Sequence, residues 1–337
     1  MTISDFLGLR WGDIEGPLIE PPRFSPIIAD PSFLFPEESP DGTWELFVHS
    51  AWGIHRYSST DGLAWSDRGI VIRNAMRPFI RAIPETPNAG ASSRDGRGSS
   101  GQNFHLYFES YPPLALPLTA LPGRRKWRSR IELSTSADLR TWSRPETMIE
   151  PDFSWARDSA LGDSVSNPCL VQDAGPTGEW RLYYSAGLAW IEDCGFCEPR
   201  YIGRAIGSSP AGPFAASPAP LIDPSTDSMP GVLGAGSLKA IRLADGWIGL
   251  QNKIYRDAEG HSRSAIFVLR SADGLAWSQA RDEPLIAPSA GWASSHVYAC
   301  DCRFSEARGL WYLYFNARDG WNMRSGVERI GRITGGR

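Results

Sequence analysis

With 337 residues, 42% hydrophobic content and a net charge of −4, the chain can bury a sizeable core but lacks the basic surface that a nucleic-acid or anionic-membrane partner requires. Fourteen tryptophans, 34 glycines and 27 prolines suit many short strands joined by tight turns around an aromatic core. No window approaches the ~18 apolar residues of a membrane span, and the opening MTISDFLGLRWGDIEG has no basic segment followed by an apolar run, so the chain reads as soluble and cytoplasmic.

Taken in order, residues 16–21 (GPLIEP) form a short apolar run closed by proline. The same tail recurs behind a turn and an aromatic at 59–72 (STDGLAWSDRGIVI), 136–151 (SADLRTWSRPETMIEP), 209–224 (SPAGPFAASPAPLIDP) and 271–288 (SADGLAWSQARDEPLIAP). Turn chemistry followed by a strand that proline ends reads as the outer edge of a repeating sheet, with Ile19, Ile72, Ile149, Ile222 and Ile286 equivalent. Between the tails lie apolar runs at 44–48 and 53–58, then 76–83, 104–108 and 130–134. Further runs fall at 166–171, 180–184 and 201–206, at 237–243, 247–254 and 265–269, and at 296–304, 310–315 and 327–333.

The pattern predicts an all-β, five-bladed propeller with blades near 24–73, 74–151, 164–224, 232–288 and 295–334. The last blade lacks a fourth strand, and 16–21 supplies it by pairing near 327–333, which closes the ring and removes a free edge. Two insertions interrupt blade two: 88–103, polar and expected to be mobile, and 111–127, rich in proline and apolar residues and expected to cover the pocket mouth. Arg124, Arg125 and Lys126 within the latter read as a solvated loop.

In such a fold the first strand of each blade lines a central channel. Aligning the first strands places Asp30, Arg77 and Asn167, each before a proline, in register, with Ser237 and Asp301 near that level. Aligning the second strands places His49, Glu109, Ser185, Asn252 and Asn316 in a second polar ring. Two polar rings at one end of apolar strands are how a binding pocket is built. Arg77 beside Asp30 would stabilise its carboxylate and depress its pKa, fitting a base. A proton donor must then sit elsewhere, and Glu109, between Phe108 and Tyr111, has apolar neighbours, with Glu192, Asp163 and Asp301 as substitutes.

Of the five cysteines, Cys194 and Cys197 form C-x2-C in a blade-three loop, Cys300 and Cys302 alternate on a blade-five strand, and Cys169 stands alone. The C-x2-C pair is half of a zinc site that His296 or His49 could complete. Blades three and five are not neighbours, however, and Cys300 and Cys302 share a buried face, so packing or free thiols are preferred over thiol-bound zinc or a Cys194–Cys197 disulfide.

The segments ADPSFLF at 29–35, SPAGPF at 209–214 and HVYACDCRFSEARGLWYLYFNARD at 296–319 resemble the five-bladed propeller glycosidases, above all glycoside hydrolase family 43, in a clan that includes the family 32 invertases. The resemblance implies that Asp30 is the general base and that His296 lies on the channel, where it helps hold a water or a calcium ion. Two further positions depart from the family: Arg77 and Phe79 stand where a second aspartate is expected, and Ser166-Asn167-Pro168 where a glutamate acid precedes Gly-Pro. The expectation is therefore a carbohydrate-active enzyme, glycoside hydrolase-like, acting on a small-molecule or oligosaccharide substrate. Asp30, Glu109 and Asp301 would be catalytic, Arg77, His49, Asn167, Asn252, His296 and Asn316 would bind substrate, and no metal ligand is assigned. The alternatives are an inactive sugar-binding propeller and an enzyme of unrelated, metal-assisted chemistry on the same fold.

Overall fold

The repeated turn folds as its side chains require. Ser59, Ser136 and Ser271 each donate a hydroxyl to the aspartate two residues on. Those aspartates, Asp61, Asp138 and Asp273, accept from the backbone N–H groups two and three residues further on, which holds the bend. The following tryptophan then swings onto a neighbouring sheet: Trp65 packs against Tyr314, Trp142 against Phe47 and Trp277 against Tyr183, with ring centroids 5.8, 5.9 and 6.1 Å apart.

The structure, a computed structural model, describes residues 1–84, 102–113, 115, 126–173, 178–322 and 325–337. Residues 88–101 of the expected mobile loop and 116–125 of the expected cover lie outside the described residues. The chain is nearly all β, in five sheets. Three are four-stranded antiparallel units. Unit one comprises Ala29–Leu34, Trp44–Ser50, Gly53–Ser59 and Ser66–Arg73. Unit two comprises Ala75–Pro84, Gln102–Ser110, Arg130–Ser136 and Glu146–Ile149, and unit three Val165–Gln172, Trp180–Ile191, Phe196–Gly207 and Phe214–Ala216.

A nine-stranded sheet joins two more units through the single parallel pair Ser264 and His296. Unit four comprises Val232–Leu243, Gly246–Arg256, Ser262–Ser271 and Ser278–Gln279; unit five comprises His296–Ser305, Leu310–Arg318 and Glu328–Gly336. Glu15–Ile19 pairs with the last strand of unit five, as expected for the displaced tail, and Arg10–Trp11, which was not anticipated, pairs with the same strand. A small sheet of Trp127–Arg128, Arg157–Asp158 and Gly162–Asp163 was not anticipated, because two-residue strands leave no periodicity to read.

The five tail isoleucines do the same job in every unit, each facing an isoleucine of the third strand. The pairs are Ile72 with Ile54, Ile149 with Ile131, Ile222 with Ile202, Ile286 with Ile266, and Ile19 with Ile330. Three of the five tail residues, Ile19, Ile149 and Ile286, are also buried. First strands touch in cyclic order, one to two, two to three, three to four, four to five and five back to one. The N-terminal segment adds a helix, Ile3–Leu7, with Thr2 and Asp5 in a capping box. Its Phe6 packs edge-on to Trp311 at 5.0 Å, and Ile3 N donates to Asp245 Oδ1 at 2.7 Å, so the segment ties unit four to unit five.

Candidate active site

All five first strands lose one step of register at a corresponding point. The breaks fall between Ala29 and Ser32, Met76 and Phe79, Ser166 and Cys169, Gly234 and Ser237, and Val297 and Cys300. Inside the first four breaks sits a residue with left-handed backbone: Asp30 at φ 52°, Arg77 at 54°, Asn167 at 46° and Gly236 at 60°. A side chain held there costs about 1–3 kcal/mol, and such strain gathers at functional sites. Three of the four residues are polar, and prolines follow them, so the X-Pro dipeptide seen in the sequence marks the bulge. Tyr298 occupies the fifth break, while Ser237 stands at the far edge of its break and Asp301 beyond its own. Those two therefore do not share the level of Asp30, because units four and five carry no proline to mark it.

The polar ring of the second strands stitches each unit to the next. Arg77 N donates to His49 Nδ1 at 3.3 Å, Ser185 Oγ to Gly236 O at 2.6 Å, and Asn252 Nδ2 to Val297 O at 2.9 Å. Asp30 N donates to Asn316 Oδ1 at 3.1 Å, across units one and five. Glu109 departs from this pattern and takes the Arg77 guanidinium of its own unit.

Asp30 is the centre of the resulting cluster. Asn167 Nδ2 donates to its Oδ1 at 3.2 Å, and its Oδ2 lies 3.2 Å from His49 Nδ1. Burial raises the Asp30 pKa, opposed by the charges of Arg77 and Lys239. The expected depression by Arg77 is thus corrected: the guanidinium is spent on Glu109, and desolvation of Asp30 wins. Burial likewise lowers His49 to about 3, so its ring is neutral. Because Nδ1 accepts from Arg77 N it has no proton to give, and a hydrogen bond between this nitrogen and Asp30 requires the proton on the carboxyl.

Glu109 is fully buried and accepts from Arg77 and, at 3.1 Å, from Trp127 Nε1, whose ring packs on Tyr111. Both oxygens are engaged by donors, which is the wrong arrangement for a group that must give up a proton. The better donor is Glu198. Its pKa is pushed up to about 8, by burial first, with Glu328 and Asp30 raising it and Arg77 and Arg318 lowering it. No described group hydrogen-bonds its carboxyl. Glu328, also raised by burial, accepts from Asn316 Nδ2 at 3.0 Å and Arg318 Nη1 at 3.1 Å. Tyr298 has a buried hydroxyl with no partner among the described residues.

Sequence reasoning missed Glu198, Glu328, Tyr298 and Arg318. Glu198 escaped because the strands Trp180–Ile191 and Phe196–Gly207 run far beyond the expected 180–184 and 201–206. The extension brings Glu198 within electrostatic reach of Asp30, Arg77 and Glu328, whereas Glu192 at the hairpin turn is exposed and Asp163 lies in the small sheet. The same extension brings Cys194 Sγ to 3.6 Å from His296 Nε2, so units three and five do meet here. His296 is buried, stacks on Tyr298 with ring centroids 5.5 Å apart, and is held neutral by burial with a pKa of about 4. Asn252 is buried in its backbone bond to unit five, and Asn316 lies directly beneath Asp30 N.

Asp301 serves elsewhere. Arg81 grips both its oxygens at 3.0 Å, Ser32 Oγ donates at 2.8 Å, and its pKa falls far below the usual carboxylate range because of Arg81, despite burial. None of the five cysteines is in a disulfide, and among the described residues no group of three His, Cys, Asp or Glu side chains could hold a metal ion. A cavity of about 380 Å³ opens at the other end of the first strands, lined by residues past the register breaks. The Asp30 cluster is the better active-site candidate because strain, convergent carboxyls and shifted pKa values coincide there.

No protein-family profile matches this chain, and no curated protein matches it. Solved structures do. One described as a glycoside hydrolase superposes with a TM-score of 0.67 at 13% identity, covering 99% of this chain and 95% of that one. A thermostable family-43 glycoside hydrolase gives 0.56 at 13% identity over 91% and 88%. An N-acetylgalactosamine deacetylase from F. plautii, in complex with blood group B trisaccharide, gives 0.59 at 11% identity over 97% and 95%. The chain has the fold of the propeller-type glycoside hydrolases.

Proposed function

We propose that the five units are the blades of a closed five-bladed propeller, sealed by the pairing of Ile19 with Ile330, and that the chain is a carbohydrate-active enzyme hydrolysing a glycoside over Asp30. The cyclic contacts of the first strands and the hydrogen bond from Asp30 N to Asn316 support closure. The observation that carries the chemistry is a pair of buried carboxyls in unlike settings: Glu198, raised to about 8, keeps its proton at neutral pH, while Asp30, also raised by burial, accepts from Asn167 Nδ2. A glycosidase needs such a pair, one carboxylic acid to protonate the leaving oxygen and one carboxylate to act as base or nucleophile. Glu198 takes the first role and Asp30 the second. Asn167 and His49 orient Asp30, and Arg77, fixed by Glu109, presents positive charge to the sugar. Asp301 acts as a rivet between units. No helix among the described residues is long and apolar enough to cross a membrane.

The test is a panel of aryl and oligosaccharide glycosides with wild type, Asp30→Asn and Glu198→Gln. Each variant should lose about 10²–10⁴-fold in kcat, with Glu198→Gln recovering on substrates whose leaving group needs no proton. Full turnover by both variants would remove these two residues from the chemistry. A second reading draws on the deacetylase among the similar structures: release of acetate from an N-acetylated sugar with the glycosidic bond intact would favour it. Sugar binding by wild type with no turnover would mark an inactive propeller.

A further inference from the structure

The cavity at the other end of the channel has a charge imbalance. Four cationic side chains line it, Arg81, Lys239, Arg242 and Arg303, together with Asp301. Each arginine has a carboxylate near it, although Asp173, beside Arg242, is held more closely by Arg181 at 2.5 Å. Arg81 is paired with Asp301, Arg303 grips Glu38 with both terminal nitrogens, and Arg242 Nε lies 3.5 Å from Asp173. Lys239 has none within ion-pair reach among the described residues, although it is 94% buried. Its ammonium donates to Pro168 O at 3.2 Å and sits 4.8 Å from the Phe79 ring centre. A buried ammonium has three N–H donors and is costly to leave without a counter-charge; one carbonyl and one aromatic face compensate only part of that cost.

We propose that this cavity binds a small phosphate-bearing molecule, with Lys239 as the central ligand of its phosphate and Arg242 on the rim. The size of about 380 Å³ suits a compact metabolite rather than a bare halide. The mixed lining agrees, since Trp180 and Trp311 add apolar wall beside the cations. The lining residues lie past the register breaks on the same strands, and Lys239, whose charge is also felt at Asp30, stands between this cavity and the Asp30 cluster.

Inorganic phosphate is the minimal probe. Titrated into the full chain at constant ionic strength, with chloride as the balancing salt, it should raise Tm by about 2–4 °C in wild type. The rise should persist in Asp30→Asn, which separates this site from the proposed catalytic one, and vanish in Lys239→Met. Should Lys239→Met fail to fold, Arg242→Gln replaces it and should weaken the phosphate midpoint several-fold. An unchanged response in the folded lysine variant, or in Arg242→Gln when it stands in, overturns the proposal. So does a wild-type response that is absent or that chloride alone reproduces.

Discussion

Glu198 is where the residue scale can be tested without knowing the substrate. Its pKa rises from an ordinary 4.5 to about 8 because burial penalises the ionised form. Between those values the folded state holds a proton that the unfolded state has released. The stability this group contributes is therefore complete below about pH 4.5 and is lost as pH climbs through 8. Replacing it by glutamine removes that loss. Glu198→Gln should match wild type in Tm near pH 4 and exceed it by a margin that widens up to pH 8, as read by thermal unfolding at closely spaced pH values. A constant margin would show that Glu198 ionises normally. His49 and His296, near 3 and 4, are silent over this window, so an inflection in activity near pH 8 belongs to Glu198 rather than to an imidazole.

At the scale of elements, the register break is the device that builds the site. In units one to three it is visible in the sequence, because a polar residue before proline marks each bulge. In unit four the mark is Gly236, and in unit five it is Tyr298, neither of which resembles the others in type. Local chemistry made three positions legible, whereas the remaining two, and the long hairpin that brings in Glu198, depend on packing between units. The tail strands were legible throughout, since five isoleucines repeat with their turns and each meets another isoleucine. The importance of the break is open to direct measurement. A Cβ on Gly236 would collide with the Asn252 carbonyl oxygen, and its φ of 60° disfavours any side chain. Gly236→Ala should lower stability by about 2–4 kcal/mol in a denaturant melt, and a change below 0.5 kcal/mol would mean the strand relaxes freely.

At the scale of the whole molecule, the two ends of the chain share one unit. Residues 1–22 bring in buried Phe6, Leu9 and Ile19, and Glu15 pairs with Arg332 at 2.6 Å. Burial of a large apolar side chain is worth about 1.5–3 kcal/mol, so this segment is a substantial share of a typical domain's net stability. Deleting 1–22 should lower Tm by 10 °C or more, on the order expected for several such side chains, and expose the edge of Glu328–Gly336 to aggregation. A truncated chain that melts like the full one would refute sealing by this strand.

That seal also sets an order of events during synthesis. Ile19 leaves the ribosome 311 residues before Ile330, its strand partner. At ~5–20 residues per second the wait is about 15–60 s. For that time an apolar strand has no mate, and a neighbouring nascent chain could supply one. The strand is short and guarded: Glu15 and Glu20 flank it, Pro17 interrupts it and Pro21 follows it. Charges and prolines that add little to a finished sheet discourage the wrong partner while the right one is still being made.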